Sequence, residues 1–212
     1  MKILAIDCCL KLTGVALMLD DEIFLAQKDL GRRQSGELPK MTEKILSEHE
    51  ISFDELDYIA LTNGPGYFTG IRVGAAYASG LAYASGKKII PVSSLEMLAH
   101  KNSEEKNGKI LTLIYAGHGF VYAEAKNLLE PGEYSHEFII EWLEKNQDSK
   151  IISDDPGKLE LKLDNIKISQ VKPDLISLCG IAKNNLQRAT SPMELKILYY
   201  RAPQGLEKAS RS

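Results

Sequence analysis

The sequence predicts an α/β protein built as two lobes. Strand-like and helix-like patterns alternate along the first hundred residues, which is typical of a sheet layered with helices. The segment Lys101–Lys109 contains no apolar side chain and separates this series from a second one that opens with the apolar run Ile110–Ile114. With 212 residues, of which 44% are hydrophobic and 26% charged, the chain is long enough to bury one large core or two small ones.

The first lobe is predicted to open with three strands. Two apolar runs, Lys2–Asp7 and Leu12–Met18, flank a short polar break, which predicts a hairpin whose first strand ends in Asp7, and a third strand follows at Glu22–Gln27. Amphipathic spacing and flanking turn residues predict a helix, a buried strand, a helix rich in small residues and a further strand. These four elements are Ser35–His49, Tyr58–Leu61, Ile71–Ser85 and Lys88–Val92.

The second lobe is predicted to be smaller. It begins with a hairpin over Ile110–Lys126 that has His118 in its turn. An apolar stripe at helical spacing, formed by Phe138, Ile139 and Trp142, favours core packing over a ligand pocket. The remaining predicted elements are a helix at Ser135–Lys145, short strands at Lys150–Ser153 and Asn165–Ser169, and a helix at Asp174–Gln187.

The most specific segment is Gly64–Gly70, here called the motif loop, which leads from a strand into a helix. Glycines there permit positive φ and close backbone approach, Pro65 stiffens the entry, and Thr69 is expected to cap the helix with its hydroxyl. Such a helix start can hold an anion on its free N–H groups, but glycine and proline also build plain turns, and no Lys-Ser/Thr pair follows as in a P-loop. Both interpretations stay open. The candidate residues are Gly64, Pro65, Gly66, Thr69 and Gly70.

Asp7 is the candidate residue for a vestigial nucleotide site. An Asp at a strand end can hold a metal or a phosphate-bound water in nucleotide-handling folds, whereas a turn Asp in isolation favours bonding to its own backbone. No two histidines stand at i and i+4, and the cysteines form no CxxC unit, so neither a metal site nor a catalytic residue is expected. The histidines are His49, His100, His118 and His136, and the cysteines are Cys8, Cys9 and Cys179.

Charge is uneven along the chain. The net charge is −3, and residues 183–212 hold six Lys or Arg against two acids, so this end carries +4 and the rest −7. An acidic body whose tail bears only the separated Arg201, Lys208 and Arg211 does not predict a free-standing RNA binder. The apolar run at the N-terminus is too short for a signal peptide, and none approaches the roughly 18 residues of a membrane span, so we expect a cytoplasmic protein.

Three motifs in the first hundred residues resemble the TsaB family, also called YeaZ, of the glycoprotease-like ASKHA superfamily. Pro192 with Tyr199–Arg201 resembles a decayed form of the family's C-terminal ending. The resemblance implies a two-lobed fold of the actin-like ATPase and ribonuclease H-like type, with the motif loop and partner-binding helices in residues 1–103. Residues 104–212 would form an abbreviated, divergent second lobe with a C-terminal tail. The motifs are Ile3–Asp7 with Gly14–Leu17, Gly64–Gly74, and Pro91–Leu95.

The resemblance also implies a function, that of a non-catalytic adapter in making N6-threonylcarbamoyladenosine (t6A) at position 37 of tRNA. Such proteins bind the catalytic paralogue TsaD as a heterodimer, are joined by the small ATPase TsaE, and form a homodimer when alone. TsaC makes the threonylcarbamoyl adenylate. No cofactor of its own is implied, because ATP and the adenylate are used by the partner subunits, and tRNA is reached through the complex.

Two helices of the first lobe are the candidate partner interface. Small side chains let the helix after the motif loop approach a neighbour closely, although the apolar stripes of both helices could equally face only their own sheet. The resemblance favours the interface. The expected contact residues are Leu38, Met41, Ile45, Tyr77 and Leu81.

The sequence departs from the family pattern at two places. Gln34 stands where members often have a histidine, and Tyr115, Gly117 and Phe120 replace charged residues of a hairpin. The alternative function is a stand-alone nucleotide-binding ASKHA enzyme, an ATPase or a transferase, with Asp7 and the motif loop holding the nucleotide. That alternative lacks a second phosphate loop, because no further glycine-rich turn follows a strand in the second lobe.

Overall fold

The computed structural model describes residues 1–31, 33–101, 109–161 and 167–200. It contains two five-stranded sheets with helices packed on them. Within these residues, no helix combines the length and the apolar character that crossing a membrane requires. The strands are β1 (Lys2–Asp7), β2 (Thr13–Leu19), β3 (Glu22–Lys28), β4 (Tyr58–Thr62), β5 (Lys88–Val92), β6 (Ile110–Gly117), β7 (Phe120–Ala125), β8 (Leu129–Ser135), β9 (Lys150–Ser153) and β10 (Ile168–Gln170). The helices are α1 (Gln34–Glu48), α2 (Phe68–Ser85), α3 (Ser94–His100), α4 (His136–Lys145) and α5 (Leu175–Asn184).

The first sheet has the strand order β3-β2-β1-β4-β5 and confirms the predicted strands of the first lobe. β1, β2 and β3 form an antiparallel meander, whereas β4 and β5 run parallel to β1 because α1 and α2 carry the chain back between them. The carboxyl ends of β1 and β4 therefore lie side by side. This arrangement brings Asp7 next to the motif loop.

The second sheet has the order β10-β9-β6-β7-β8, and β6 with β7 is the predicted hairpin. β8 was not predicted, because Pro131 and Gly132 interrupt its strand pattern. Proline is tolerated there since β8 is an edge strand, with its outer side unpaired by any described strand. Most of the predicted strand Asn165–Ser169 lies outside the described residues, and β10 is seen from Ile168.

Two helix predictions for the second half need adjustment. In α4, Ile139 is buried and Trp142 packs against the same cluster, but Phe138 is exposed and stacks on Tyr134 with ring centroids 4.8 Å apart. α5 ends at Asn184, and the rest of its predicted length is a single 3₁₀ turn. The prediction that the α4 stripe packs in the core is thus correct for two of its three residues.

Helices cover both faces of the first sheet. α1 and α2 enclose one apolar cluster with it, and α3 and α5 enclose another on the opposite face. α5 follows the second sheet in the sequence yet packs on β1, β2, β4 and β5, where Leu175 and Leu178 are buried. The same cluster includes Ile114 and Ile152 of the second sheet, so the two sheets share a core. A lobe boundary between residues 103 and 104 lies outside the described residues and stays a prediction.

Candidate partner interface and motif loop

The motif loop begins after β4 and ends inside α2. This helix starts at Phe68, three residues before the predicted Ile71, because Tyr67 is the last residue with extended backbone. Thr69 therefore lies within the first turn, and no side chain caps the helix. The prediction that Thr69 caps α2 was wrong, since a capping residue must stand before the first helical residue.

Gly66 and Gly70 lie against the turn between β1 and β2. A Cβ atom added to Gly66 would lie 2.2 Å from the carbonyl oxygen of Cys9, and one on Gly70 would lie 1.9 Å from that of Cys8. The Tyr67 amide donates to the Cys9 carbonyl at 2.7 Å and holds the two segments together. Side chains at both glycine positions would overlap backbone atoms, so this packing requires glycine.

The C-terminal segment encloses the motif loop from another side. The side-chain amide of Asn63 donates to the Lys196 carbonyl at 2.9 Å, and the Leu198 amide donates to the Asn63 carbonyl at 2.9 Å. Gly64 has a φ of +105°, and a Cβ atom there would lie 2.8 Å from the Leu198 carbonyl oxygen. Pro65 is buried. Contacts with backbone on both sides favour an architectural role for the loop.

Asp7 is fully buried at the carboxyl end of β1. Its Oδ1 accepts hydrogen bonds from the Thr62 hydroxyl at 2.5 Å and from the Cys9 amide at 3.1 Å, and the second is the local turn bond that the residue alone favours. Oδ2 has no hydrogen-bond partner among the described residues. Burial raises the pKa of Asp7, and the two hydrogen bonds oppose this shift. A carboxyl group without exposed surface could reach a ligand only after rearrangement of the loop.

The three expected contact residues on α1 form the inner side of that helix. Leu38, Met41 and Ile45 are buried in the cluster that α1 shares with the first sheet. Their side chains pack chiefly on the chain's own sheet, which leaves them little surface for a partner. An apolar stripe shows that a helix is covered on that side but not what covers it.

The two expected contact residues on α2 keep part of their surface. Tyr77 and Leu81 are half-buried beside the same cluster. Tyr77 reaches α1, where its side chain hydrogen-bonds with Thr42, and burial raises the pKa of Tyr77. These two residues lie where the surfaces of α1 and α2 meet.

A more exposed stripe of α2, here called the α2 surface, consists of Arg72, Ala76, Gly80 and Tyr83. Tyr83 is 76% exposed, and the small Ala76 and Gly80 let another helix approach the backbone closely. The Arg72 guanidinium lies 3.7 Å from the ring centroid of Phe68. Sequence reasoning missed this stripe, although the three- and four-residue spacing of its members is a visible helical signal.

A cavity of about 540 Å³ opens beside the exposed end of the motif loop. Lys11, Tyr67, Thr69 and Lys158 contribute to its wall, and Asp7 does not. Lys158 comes from the second half of the chain and donates to the Tyr67 hydroxyl at 2.7 Å, which raises the pKa of Lys158. Two lysines and the carboxylate of Asp29 thus share this wall, and Lys158 also forms an ion pair with Asp155 at 3.5 Å. Asp7, which was expected to belong to a nucleotide site here, is not part of the wall.

Asp154 lies near the same contact between the two halves. It lines a narrow pocket together with Tyr67, Asp155 and Lys158. Burial, and then the neighbouring charge of Asp155, raises the pKa of Asp154 to about 6. Ionisation of this carboxyl group near neutral pH therefore costs free energy in the folded protein.

The three cysteines are buried in the described chain. No group of three or more His, Cys, Asp or Glu side chains there is placed to hold a metal ion. Burial raises the pKa of the Cys9 and Cys179 thiols to about 12 and that of Cys8 as well, so these thiols stay protonated at neutral pH.

The residues that depart from the family pattern lie at the start of α1 and in the β6–β7 hairpin. Gln34 is buried at the start of α1, and its side-chain amide donates to the Thr13 hydroxyl of β2 at 3.1 Å. Tyr115 and Phe120 are half-buried strand residues of the β6–β7 hairpin, and Gly117 enters its turn with a φ of +89°. His118 is the predicted turn residue. Gln34 thus joins α1 to the sheet with an uncharged hydrogen bond.

The chain is similar in sequence to proteins named for tRNA threonylcarbamoyladenosine synthesis. The family model described as TsaD, tRNA N6-adenosine threonylcarbamoyltransferase, matches residues 28–189. The tRNA threonylcarbamoyladenosine biosynthesis protein TsaB of Buchnera aphidicola subsp. Acyrthosiphon pisum is 29% identical over 64% of this chain and 62% of its own length. The chain thus spans about three fifths of that relative.

Two further comparisons cover nearly the whole chain. The Bacillus subtilis protein of the same name is 29% identical over 93% of this chain and 86% of its own. The solved structure of YeaZ from Pseudomonas aeruginosa aligns over 93% of this chain and 99% of that one with a TM-score of 0.77 and 21% identity, which shows a shared fold. On the family model and these relatives, the chain belongs to the TsaB (YeaZ) family of the glycoprotease-like ASKHA superfamily.

Proposed function

We propose that this chain serves tRNA threonylcarbamoyladenosine biosynthesis as a non-catalytic adapter that binds and activates the catalytic subunit TsaD together with TsaE. The relatives carry the name of this pathway, and the family model describes the threonylcarbamoyltransferase itself. The adapter works in the cytoplasm, forms a heterodimer with TsaD and a ternary complex with TsaE, and contacts tRNA through that complex. Alone, it pairs with itself through the same helices.

The observation that carries the proposal is the α2 surface. A helix with small residues at its exposed positions can pack closely on a helix of another chain, and an exposed aromatic such as Tyr83 is typical of interface anchors. Tyr77 and Leu81 extend this surface towards α1. Leu38, Met41 and Ile45 act from beneath by fixing the position of α1.

An adapter needs no active site of its own. The motif loop is filled by backbone contacts, and Asp7 has no exposed surface, so neither supports chemistry without rearrangement. We assign no cofactor to this chain, and ATP and the threonylcarbamoyl adenylate are used by the partner subunits. Binding the active form of TsaD better than the inactive one is sufficient to activate it.

The test mixes the purified chain with TsaD from the same organism. Complex formation is measured by size exclusion with light scattering, and t6A formation is measured with TsaE, ATP, tRNA and threonylcarbamoyl adenylate present. We expect a stable complex, and modification only when this chain and TsaD are both present. Failure to form the complex, or modification by this chain without TsaD, would contradict the adapter proposal.

A stand-alone nucleotide-binding enzyme, an ATPase or a transferase, is the second candidate. One observation favours it, namely the 540 Å³ cavity whose wall holds two lysines, Lys11 and Lys158, against one carboxylate, Asp29. Calorimetric titration of the isolated chain with ATP distinguishes the two candidates. Micromolar binding that is lost in Lys158→Ala, together with hydrolysis, would support the enzyme, whereas no heat of binding would remove it.

A further inference from the structure

β3 is an edge strand of the first sheet. It stands last in the order of the first sheet, and within the described chain no backbone group pairs with its outer side. The other edge of this sheet is covered at one point, because Ile89 of β5 exchanges two backbone hydrogen bonds with Thr190 of the C-terminal segment. Open strand edges pair readily with another strand.

Most devices that keep a strand edge unpaired are missing from β3. Its register with β2 is continuous over the whole strand, without a bulge or a proline. Its centre, Ile23–Ala26, is apolar, and Leu25 is 46% exposed. Charged residues stand only at the two ends, as Glu22 and Lys28. A long, regular and apolar edge of this kind tends to pair with a further strand.

The outward backbone groups of β3 are centred on Leu25. Leu19 and Glu22 close a two-residue hairpin and so form a hydrogen-bonded pair, after which hydrogen-bonded and other pairs alternate along the ladder. The even-numbered residues of β3 therefore turn their N–H and C=O groups to β2. Ile23, Leu25 and Gln27 turn theirs outward.

We propose that β3 pairs antiparallel with β3 of a second copy of this chain, about a two-fold axis through Leu25. The outward residues then face each other, with Leu25 opposite the partner's Leu25 and Ile23 opposite the partner's Gln27. Each of these pairs exchanges two hydrogen bonds. Self-complementary pairing of one surface patch is what a two-fold interface requires.

The side chains of β3 identify a second copy as the occupant. In this register Glu22 faces the partner's Lys28 at both ends, Phe24 faces the partner's small Ala26, and the exposed Leu25 is buried on the axis. A shift by two residues in either direction removes both charge pairs. Because α2 packs over β1, β4 and β5, the pairing leaves the α2 surface free and is independent of the adapter proposal.

A symmetric cross-link tests the axis directly. Hydrogen-bonded residues of antiparallel strands have Cα atoms about 5.5 Å apart, within the disulfide range of about 4.4 to 6.8 Å. The native cysteines are buried, so mild oxidation of Leu25→Cys is expected to yield a covalent dimer on a non-reducing gel. Leu128→Cys, at a site with the similar exposure of 45%, is the matched control and should stay monomeric. No cross-link in Leu25→Cys, or equal cross-linking in both variants, overturns the proposal.

Exchange of the end charges tests the register. Glu22→Lys and Lys28→Glu each place like charges opposite one another, and each alone is expected to weaken dimerisation about tenfold in sedimentation equilibrium. Both are made in a Tyr83→Asp background, so that pairing through α2 does not contribute. Mixing the two variants restores opposite charges and should recover the affinity of the background protein. Single variants without effect, or no recovery on mixing, overturn the proposal.

Discussion

The motif loop and the α2 surface are neighbours in the sequence but have opposite environments. The loop is enclosed by the β1–β2 turn and by the C-terminal segment, whereas the α2 surface faces solvent. Both contain glycine. A methyl group on Gly70 would overlap the Cys8 carbonyl, while one on Gly80 would have no atom outside its own helix within 4 Å. The same residue type therefore permits backbone contact inside the fold at one position and leaves the helix surface open at the other.

Replacing these two glycines with alanine should have opposite effects on stability. Gly70→Ala is expected to destabilise the protein by about 3 kcal/mol or more, because its Cβ would meet backbone that cannot move aside easily. Gly80→Ala is expected to stabilise it by up to about 1 kcal/mol through helix propensity. Urea unfolding followed by circular dichroism measures both. A small effect of Gly70→Ala would show that the contact with Cys8 yields easily and that the loop is not tightly packed.

Asp154, near the exposed end of the motif loop, should make the stability of the protein depend on pH. Its folded-state pKa of about 6 lies above the ordinary Asp value of 3.8, so the native state binds the proton more tightly than the unfolded state. Stability should therefore fall as pH rises from about 4 to about 6, and remain lowered above that range. Asp154→Asn removes this penalty and should stabilise the protein at pH 7 by about 2 kcal/mol relative to its effect at pH 4.

Urea unfolding of wild type and Asp154→Asn at pH 4, 5, 6 and 7 gives this difference. Asp155→Asn should reduce this pH dependence without abolishing it, because the charge of Asp155 adds to the effect of burial on the pKa of Asp154. Parallel curves for wild type and Asp154→Asn would mean that Asp154 ionises freely in the folded protein.

The features that sequence predicted are those with a local signal. The hairpin whose first strand ends at Asp7, the strand before the motif loop and the small-residue helix after it each have a periodicity or a turn residue that marks them. β8 was missed because Pro131 and Gly132 indicate a turn when only neighbouring residues are considered. A strand accepts these two residues there because β8 lies at the edge of its sheet.

Contacts between distant segments were beyond the sequence. Nothing near Gly66 indicates that the Cys9 carbonyl will lie against it, and nothing in α5 indicates that it returns to the first sheet. The stripe of Leu38, Met41 and Ile45 was correctly seen as apolar, but amphipathicity does not distinguish the chain's own sheet from another protein. The α2 surface could be recognised only once the buried side of the helix was known.

Asn63 tests the C-terminal side of the motif loop. Asn63→Ala removes the hydrogen bond to the Lys196 carbonyl and is expected to cost about 1 to 2 kcal/mol, because that carbonyl loses a partner at a partly buried site. Trypsin should then cut after Lys196 faster than in the wild type. Asn146→Ala, which loses a bond of the same kind from the residue after α4 to the Trp142 carbonyl, is the control and should leave this cleavage unchanged.

Tyr83 should show the smallest change in stability and the clearest change in binding. Tyr83→Asp alters a side chain that is 76% exposed, so the free energy of unfolding should stay within about 0.5 kcal/mol of wild type. If the α2 surface contacts TsaD, the same change should weaken the complex at least about tenfold, since a charge would replace an aromatic anchor. Calorimetric titration with TsaD measures this, with Tyr83→Phe expected to bind normally. Leu186→Asp, which changes an exposed apolar residue elsewhere, is the matched control. Equal binding by Tyr83→Asp and Leu186→Asp would show that TsaD does not bind at the α2 surface. The enclosed motif loop would then adjoin a helix that is exposed without being a binding surface.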